Sequence, residues 1–174
     1  MNPYQGTVAR SLEFAGVGLH SGKNIHLKVS PGAPGTGIVF FRTDVPNPDP
    51  IQANVSNISA TTLCTTVGSG SNAVSTIEHL MAAFVGLGVD NAIVEVSANE
   101  IPILDGSAAS FVDKLNAVGI QRQSLKRKYY KTSKPLEVRC FDQYMKWEPH
   151  PEHEDYNHLI INCSINFSAS RVIG

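Results

Sequence analysis

Cysteine is scarce in this 174-residue chain: there are three, Cys64, Cys140 and Cys163, and no Cys-x-x-Cys pair. An odd, scattered set argues against a disulfide framework and fits a reducing compartment. Charge of one sign is equally lacking, since 14 Lys and Arg face 15 Asp and Glu for a formal charge of −1. That balance carries no signature of a nucleic-acid or acidic-membrane binder. No apolar run approaches the length of a membrane span, and the start "MNPYQGTVAR" lacks the apolar core of a secretory signal. What is present, 42% hydrophobic against 17% charged residues, suffices for a sizeable core and excludes wholesale disorder. The length fits one domain, or one small domain plus part of another. These features together point to a soluble, cytosolic protein.

From Asn24 to Val29 the residues alternate, with Ile25, Leu27 and Val29 on one face and His26 and Lys28 on the other, as in a half-buried strand. The glycines of "AGVGLHSGK" before it read as a turn from an earlier strand, and "GIVFFRTD" after it as another strand, ended by "PNPDP". "VSTIEHLMAAFVGLG" is the first helix, with Ser75 as N-cap and Gly86 and Gly88 as stops. "NAIVEV" is a buried strand. "DGSAASFVDKLNAVG" is a second helix, with Phe111, Val112, Leu115 and Val118 at helical spacing and Gly119 as its stop. After Ile120 the polar, basic "QRQSLKRKYYKTSKP" reads as a linker or domain boundary. "LEVRC", "YMKW" and "HLIINCSINF" then read as strands of an antiparallel meander whose apolar face needs a covering layer. The expected organisation is a first α+β domain at 1–125, then a linker and the opening strands of an incomplete second α+β domain at 126–174.

Neither nucleotide fingerprint fits "GVGLHSGKN". A P-loop would need glycine at the position of Val17 and Ser or Thr at Asn24, and a dinucleotide loop would need Gly22 one residue earlier. "HPEHEDYNH" sets His150, His153 and His158 among three acidic residues, but zinc ligands need a rigid frame, and a polar connection between strands does not supply one. The pair Glu78–His79 admits two readings. Ser75-Thr76-Ile77-Glu78 matches the S-x-x-E capping box, in which Glu78 reaches back to the Ser75 amide. Alternatively a carboxylate beside an imidazole, as in the zincin motif in reversed order, serves as base and metal ligand. A helix N-terminus disfavours a cationic imidazole and so keeps it able to ligate. Position i+4 from His79 is Ala83, so the full zincin spacing is absent.

"GVGLHSGK", "TTLCT", "STIEHLMAAFVGLGVDNAIVEV" and "EIPILDGSAASFV", in this order and at these separations, resemble one family: the bacterial UDP-3-O-acyl-N-acetylglucosamine deacetylases, zinc amidases that commit the pathway to lipid A. The resemblance runs from about Thr7 to the end and is densest between Leu63 and Val112. It implies that Glu78 is the general base toward the hydrolytic water and that His79 is one zinc ligand. Leu19, His20, Thr62, Leu63 and Cys64 would line the substrate cleft, and Asp105 would support the site. The implied fold is α+β, a sheet-plus-helices domain that is the first of two similar domains, their helices packed between two outer sheets. The implied partner is a UDP-linked, acylated amino sugar, the implied compartment the cytoplasm.

The departures are specific. The family's other two zinc ligands lie in an H-x-x-x-D helix of the second domain, and no such segment occurs in this sequence. The remaining ligands, the histidine that protonates the leaving amine and a carbonyl-polarising threonine are expected beyond Gly174. Where the family commonly reads D-F-x-H-P, this chain has Asn166, Phe167, Ser168, Ala169 and Ser170. The expectation is an enzyme in the parent protein, with residues 1–174 alone inactive. The alternative is a non-catalytic domain that keeps the fold but binds zinc poorly.

Overall fold

The alternation in "NIHLKVSP" is realised as an eight-residue strand whose odd positions Ile25, Leu27 and Val29 are buried while His26 and Lys28 face solvent. In the computed structural model, which describes residues 3–130, 132–149 and 159–165, the chain divides into two units, Asn2–Arg127 and Lys128–Gly174. The first unit contains β1 (Tyr4–Val8), β2 (Leu12–Val17), β3 (Asn24–Pro31), β4 (Ile38–Arg42) and β5 (Ile51–Gln52), then β6 (Ile58–Ala60), β7 (Thr66–Ser69) and β8 (Asn72–Val74). Helix α1 (Glu78–Leu87), β9 (Ala92–Val96), α2 (Ala109–Val118) and β10 (Ile120–Lys126) complete it. The class is mixed α+β.

The main sheet has five strands in the order β2-β3-β9-β4-β5. It is antiparallel except where β9 runs parallel to β4, which requires the long crossover through β5 to α1. The central strand β9 buries Ala92, Val94 and Val96 on one face. Helix α1 contributes Leu80, Ala83 and Phe84, and α2 contributes Phe111 and Leu115, to the same core as Phe14, Leu27, Val29 and Phe40. Each large side chain fully removed from water contributes about 1.5–3 kcal/mol. Helix α1 ends where expected, at Gly88 in the left-handed region (φ 74), whose amide donates to the carbonyls of Phe84 and Val85. Gly86 does not stop the helix; it lies inside it.

Two smaller sheets flank this core: β6-β7-β8, and β1 paired antiparallel with β10. The β1–β10 pair narrows the reading of "QRQSLKRKYYKTSKP" as a linker or domain boundary, since the division between the two units falls inside this stretch, after Arg127. Its first six residues belong to β10 and tie the end of the unit to its beginning. Asp90 fastens the same junction, accepting from the Gly6 amide at 2.7 Å and from Arg127 Nε at 2.9 and 3.0 Å.

The second unit holds a hairpin, β11 (Leu136–Cys140) with β12 (Gln143–Trp147), in the register Leu136 opposite Trp147. "LEVRC" and "YMKW" are thus strands, as read. Of "HLIINCSINF" the described residues 159–165 form no strand, and the remainder, like "HPEHEDYNH" and residues 166–170, lies outside the described residues. No helix among the described residues is long and apolar enough to cross a membrane.

Candidate functional site

Glu78 and His79 open α1, but the capping box does not form. The residue at the N-cap position is Ile77, in helical conformation and without a side-chain cap. Ser75 is committed elsewhere: its amide donates to Asn99 O at 3.0 Å, and its hydroxyl to the same carbonyl at 2.9 Å. With the Ser75 amide occupied, Glu78 turns to the "TTLCT" loop, where the Thr65 amide donates to Oε1 at 3.1 Å and Oε2 at 3.2 Å. Thr65 answers with its carbonyl, which accepts from the Ile77 amide at 3.4 Å. The loop carrying Thr62, Leu63 and Cys64 is therefore strapped to the start of α1. Leu63 is left-handed (φ 63) and 87% exposed, a conformation that costs a non-glycine residue energy and that clusters at functional sites. Cys64 is a free, half-buried thiol, 3.9 Å from Thr66 Oγ1.

His79 carries a second anomaly. Its Nδ1 is buried and has no hydrogen-bond partner, and a ring nitrogen withdrawn from water without a partner is costly. An imidazole so placed suits ligation, where a metal satisfies the lone pair. A full donor set is not present: no group of three or more His, Cys, Asp and Glu residues gathers for a metal among the described residues. His26 cannot join, since it stands on the face of β3 opposite the buried residues that meet the helices.

Leu19 and His20 sit in the turn between β2 and β3, closed by the Gly22 amide donating to Gly18 O at 3.0 Å. Leu19 is exposed, as is Val17 before it. The turn is held by a residue that sequence reasoning missed, Glu100. Its Oε1 accepts from the His20 amide at 2.9 Å and from Thr76 Oγ1 at 3.2 Å, and its Oε2 from the Ser21 amide at 2.9 Å. Glu100 is only 1% exposed. Burial alone would push its carboxyl up, but the amides of His20 and Ser21 and the hydroxyls of Ser21 and Thr76 outweigh it and hold the group below the ordinary glutamate range. The available signal was an acidic residue inside the apolar "EIPIL", where burial without donors would be prohibitive.

Asp105 lies in the loop before α2 and is engaged locally. Ser107 donates to it through its hydroxyl at 3.0 Å and its amide at 3.2 Å, which holds the carboxyl below its usual range. The preceding segment docks on the same turn, as Ile103 N donates to Val17 O at 3.0 Å. Strands β2 and β9 both run antiparallel to β3, so their C-terminal ends share one edge. The 17–21 turn, the Glu100 segment, the Asp105 loop, the "TTLCT" loop and the start of α1 are linked there by these hydrogen bonds.

A family model described as LpxC, UDP-3-O-acyl N-acetylglycosamine deacetylase, matches residues 5–174. Among curated relatives, the UDP-3-O-acyl-N-acetylglucosamine deacetylase of Methylococcus capsulatus is 38% identical over 179 residues. That match covers 97% of this chain and 59% of the relative, so the chain spans about three fifths of the relative's length.

Proposed function

The chain belongs to the UDP-3-O-acyl N-acetylglycosamine deacetylase family, and on that premise we propose that it supplies the Glu78 side of a site removing the N-acetyl group from a UDP-linked, 3-O-acylated N-acetylglucosamine. The products are acetate and the free amine, on the route to lipid A in the cytoplasm. The observation that carries this reading is the release of Glu78 from capping. Its carboxylate is oriented by Thr65 and stands next to an imidazole with an unsatisfied, buried nitrogen.

Thr65 uses one donor shared between both carboxylate oxygens, which leaves lone pairs free for a water molecule. Glu78 takes a proton from that water as its oxygen bonds to the acetamide carbonyl carbon. The C–N bond then breaks as the nitrogen gains a proton from the histidine acid expected outside the described residues, and acetate departs. Zinc, when bound, supplies polarisation of the carbonyl and a lowered pKa for water. His79 would hold it on this chain's behalf, with the other ligands coming from beyond the described residues. Leu19, His20, Thr62, Leu63 and Cys64 would face the substrate, and Asp105 would brace the loop beside them. In this reading the hairpin β11–β12 opens a second unit similar to the first.

One observation favours a second reading for residues 1–174 taken alone. The described residues bring no three potential metal ligands together where a tight site needs a closed set, so this stretch by itself would be non-catalytic. Zinc content and acetate release, measured side by side on residues 1–174 and on the complete reading frame that carries them, test both readings. The expected outcome is zinc and turnover in the complete protein alone. A complete, zinc-supplied protein that releases no acetate from the acylated UDP-sugar would sink the first reading, and turnover by residues 1–174 the second.

A further inference from the structure

We propose that Glu100 is a positioning residue for the Glu78–His79 pair: one buried carboxylate clamps the Leu19–His20 turn to Thr76, at the start of α1. The proposal rests on the reaction proposed above for its kinetic readout, but the clamp itself is visible in the packing.

The clamp has a fixed base. Backbone bonds from Ser75 N to Asn99 O (3.0 Å) and from Ile101 N to Ser75 O (3.1 Å) pin the Glu100 segment against the strand-like residue that precedes Thr76. From that base the carboxylate reaches two partners of different origin. On one side it accepts from two successive backbone amides, His20 and Ser21, which lie 80 and 79 residues away in sequence. On the other it accepts from Thr76 Oγ1. Thr76 is buried and left-handed (φ 58), a backbone conformation that is a genuine outlier for a β-branched residue. That conformation turns the chain from β8 into α1, and Glu78 follows two residues later. Strain of this kind persists only where surrounding contacts over-determine it.

The alternative, a carboxylate serving stability alone, fits less well. No Lys, Arg or His forms an ion pair with Glu100 among the described residues. A buried charge without a counter-ion is a poor stabiliser compared with an apolar side chain of similar volume. What a carboxylate offers instead is two acceptor atoms at a fixed separation, able to satisfy two adjacent amides and a hydroxyl at once. Gly18 belongs to the same device: a Cβ there would collide with Glu100 Oε2 and Ser21 Oγ, so a side chain at this position would force the carboxylate to shift. The turn that would face the substrate and the helix that carries the base thus share one anchor.

The test uses the complete protein with Glu100→Gln, which keeps the shape but turns an NH₂ toward one of the two amides, and Thr76→Val, which replaces the hydroxyl with a methyl that cannot donate. Kinetics are measured well below Tm, and the His79 ring is followed by NMR in 15N-histidine-labelled protein. Glu100→Gln should lower kcat by roughly 10²-fold and raise KM, because it frees the turn as well as the helix start. Thr76→Val should lower kcat roughly tenfold with KM unchanged. Both should shift the His79 ring resonances. A fall in Tm with kcat, KM and the His79 resonances intact would overturn the proposal and leave Glu100 a stabilising residue only. If Glu100→Gln does not fold, Thr76→Val decides alone by the same criteria. A wild-type protein without acetate release, in which both variants still move the His79 resonances, would sink the reaction and leave the clamp standing.

Discussion

Replacing Glu78 with glutamine separates base from structural anchor, because the structure limits what the substitution can do to stability. Glutamine keeps one oxygen for the Thr65 amide, which now donates to Oε1 at 3.1 Å and Oε2 at 3.2 Å. A hydrogen bond to a charged acceptor contributes about 1.5–3 kcal/mol and a neutral one about 1 kcal/mol, so the exchange costs on the order of 1 kcal/mol. In a protein of roughly 150–250 residues that lowers Tm by about 2–4 °C. A domain stable by about 5–15 kcal/mol stays folded after such a loss. Loss of a general base removes roughly 10²–10⁴ of the rate, which at about 1.4 kcal/mol per decade is about 3–5 kcal/mol of barrier. The two magnitudes differ enough to be told apart by one melting curve and one acetate-release assay on the complete protein. Near-normal turnover in Glu78→Gln would refute the role of base. A large fall in Tm with proportionate loss of activity would mean that Glu78 is chiefly an anchor for the "TTLCT" loop.

Other expectations follow from the packing. Phe84→Ala empties a fully buried position on α1 and should cost about 3–5 kcal/mol, read as a lower urea midpoint at unchanged m-value; a change under 1 kcal/mol would contradict the assigned core. Gly88→Ala forces a side chain into φ 74 and against the Arg127 guanidinium, so a loss of at least about 1 kcal/mol is expected in denaturant titration; neutrality would refute the left-handed stop. The Glu100 carboxyl titrates below the ordinary 4.5 in the fold, so the folded state binds fewer protons than the unfolded one. Its stabilisation is fully present above about pH 4.5 and is lost as pH falls through the lowered folded value. The gap in Tm between wild type and Glu100→Gln should therefore narrow on acidification, and a widening gap would reverse the assignment.

What was legible in the sequence was local. The strand at Asn24–Pro31 could be read because one of its faces is buried and the period is two. Helix α1 could be read from an apolar run closed by Gly88, and the Glu78–His79 pair stood out on its own. The failures that bear on the site and on the closure of the fold are long-range. The capping box failed because Ser75 bonds to Asn99 and not to Glu78, and nothing near Ser75 announces that partner. Strand β10 was hidden because six of its seven residues are polar or exposed and its partner β1 lies more than a hundred residues earlier. Glu100 was passed over because its donors His20 and Ser21 come from the other end of the unit.

The position of β9 has a consequence for synthesis. It is the central strand of the five, between β3 and β4, and also the last of them to leave the ribosome. Until Ala92–Val96 emerges, β3 and β4 each present a vacant row of amides and carbonyls toward the same empty slot. At roughly 5–20 residues per second, the stretch from Arg42 to Ala92 leaves that slot open for about 3–10 s. Unpaired edges are templates for wrong partners, and β3 could meet β4 directly or a strand of a neighbouring nascent chain. The yield of folded protein in a cell should then respond to translation speed and to holding chaperones more than to the final stability of the sheet. Lengthening the loop between β5 and α1 would worsen it without touching a single native contact.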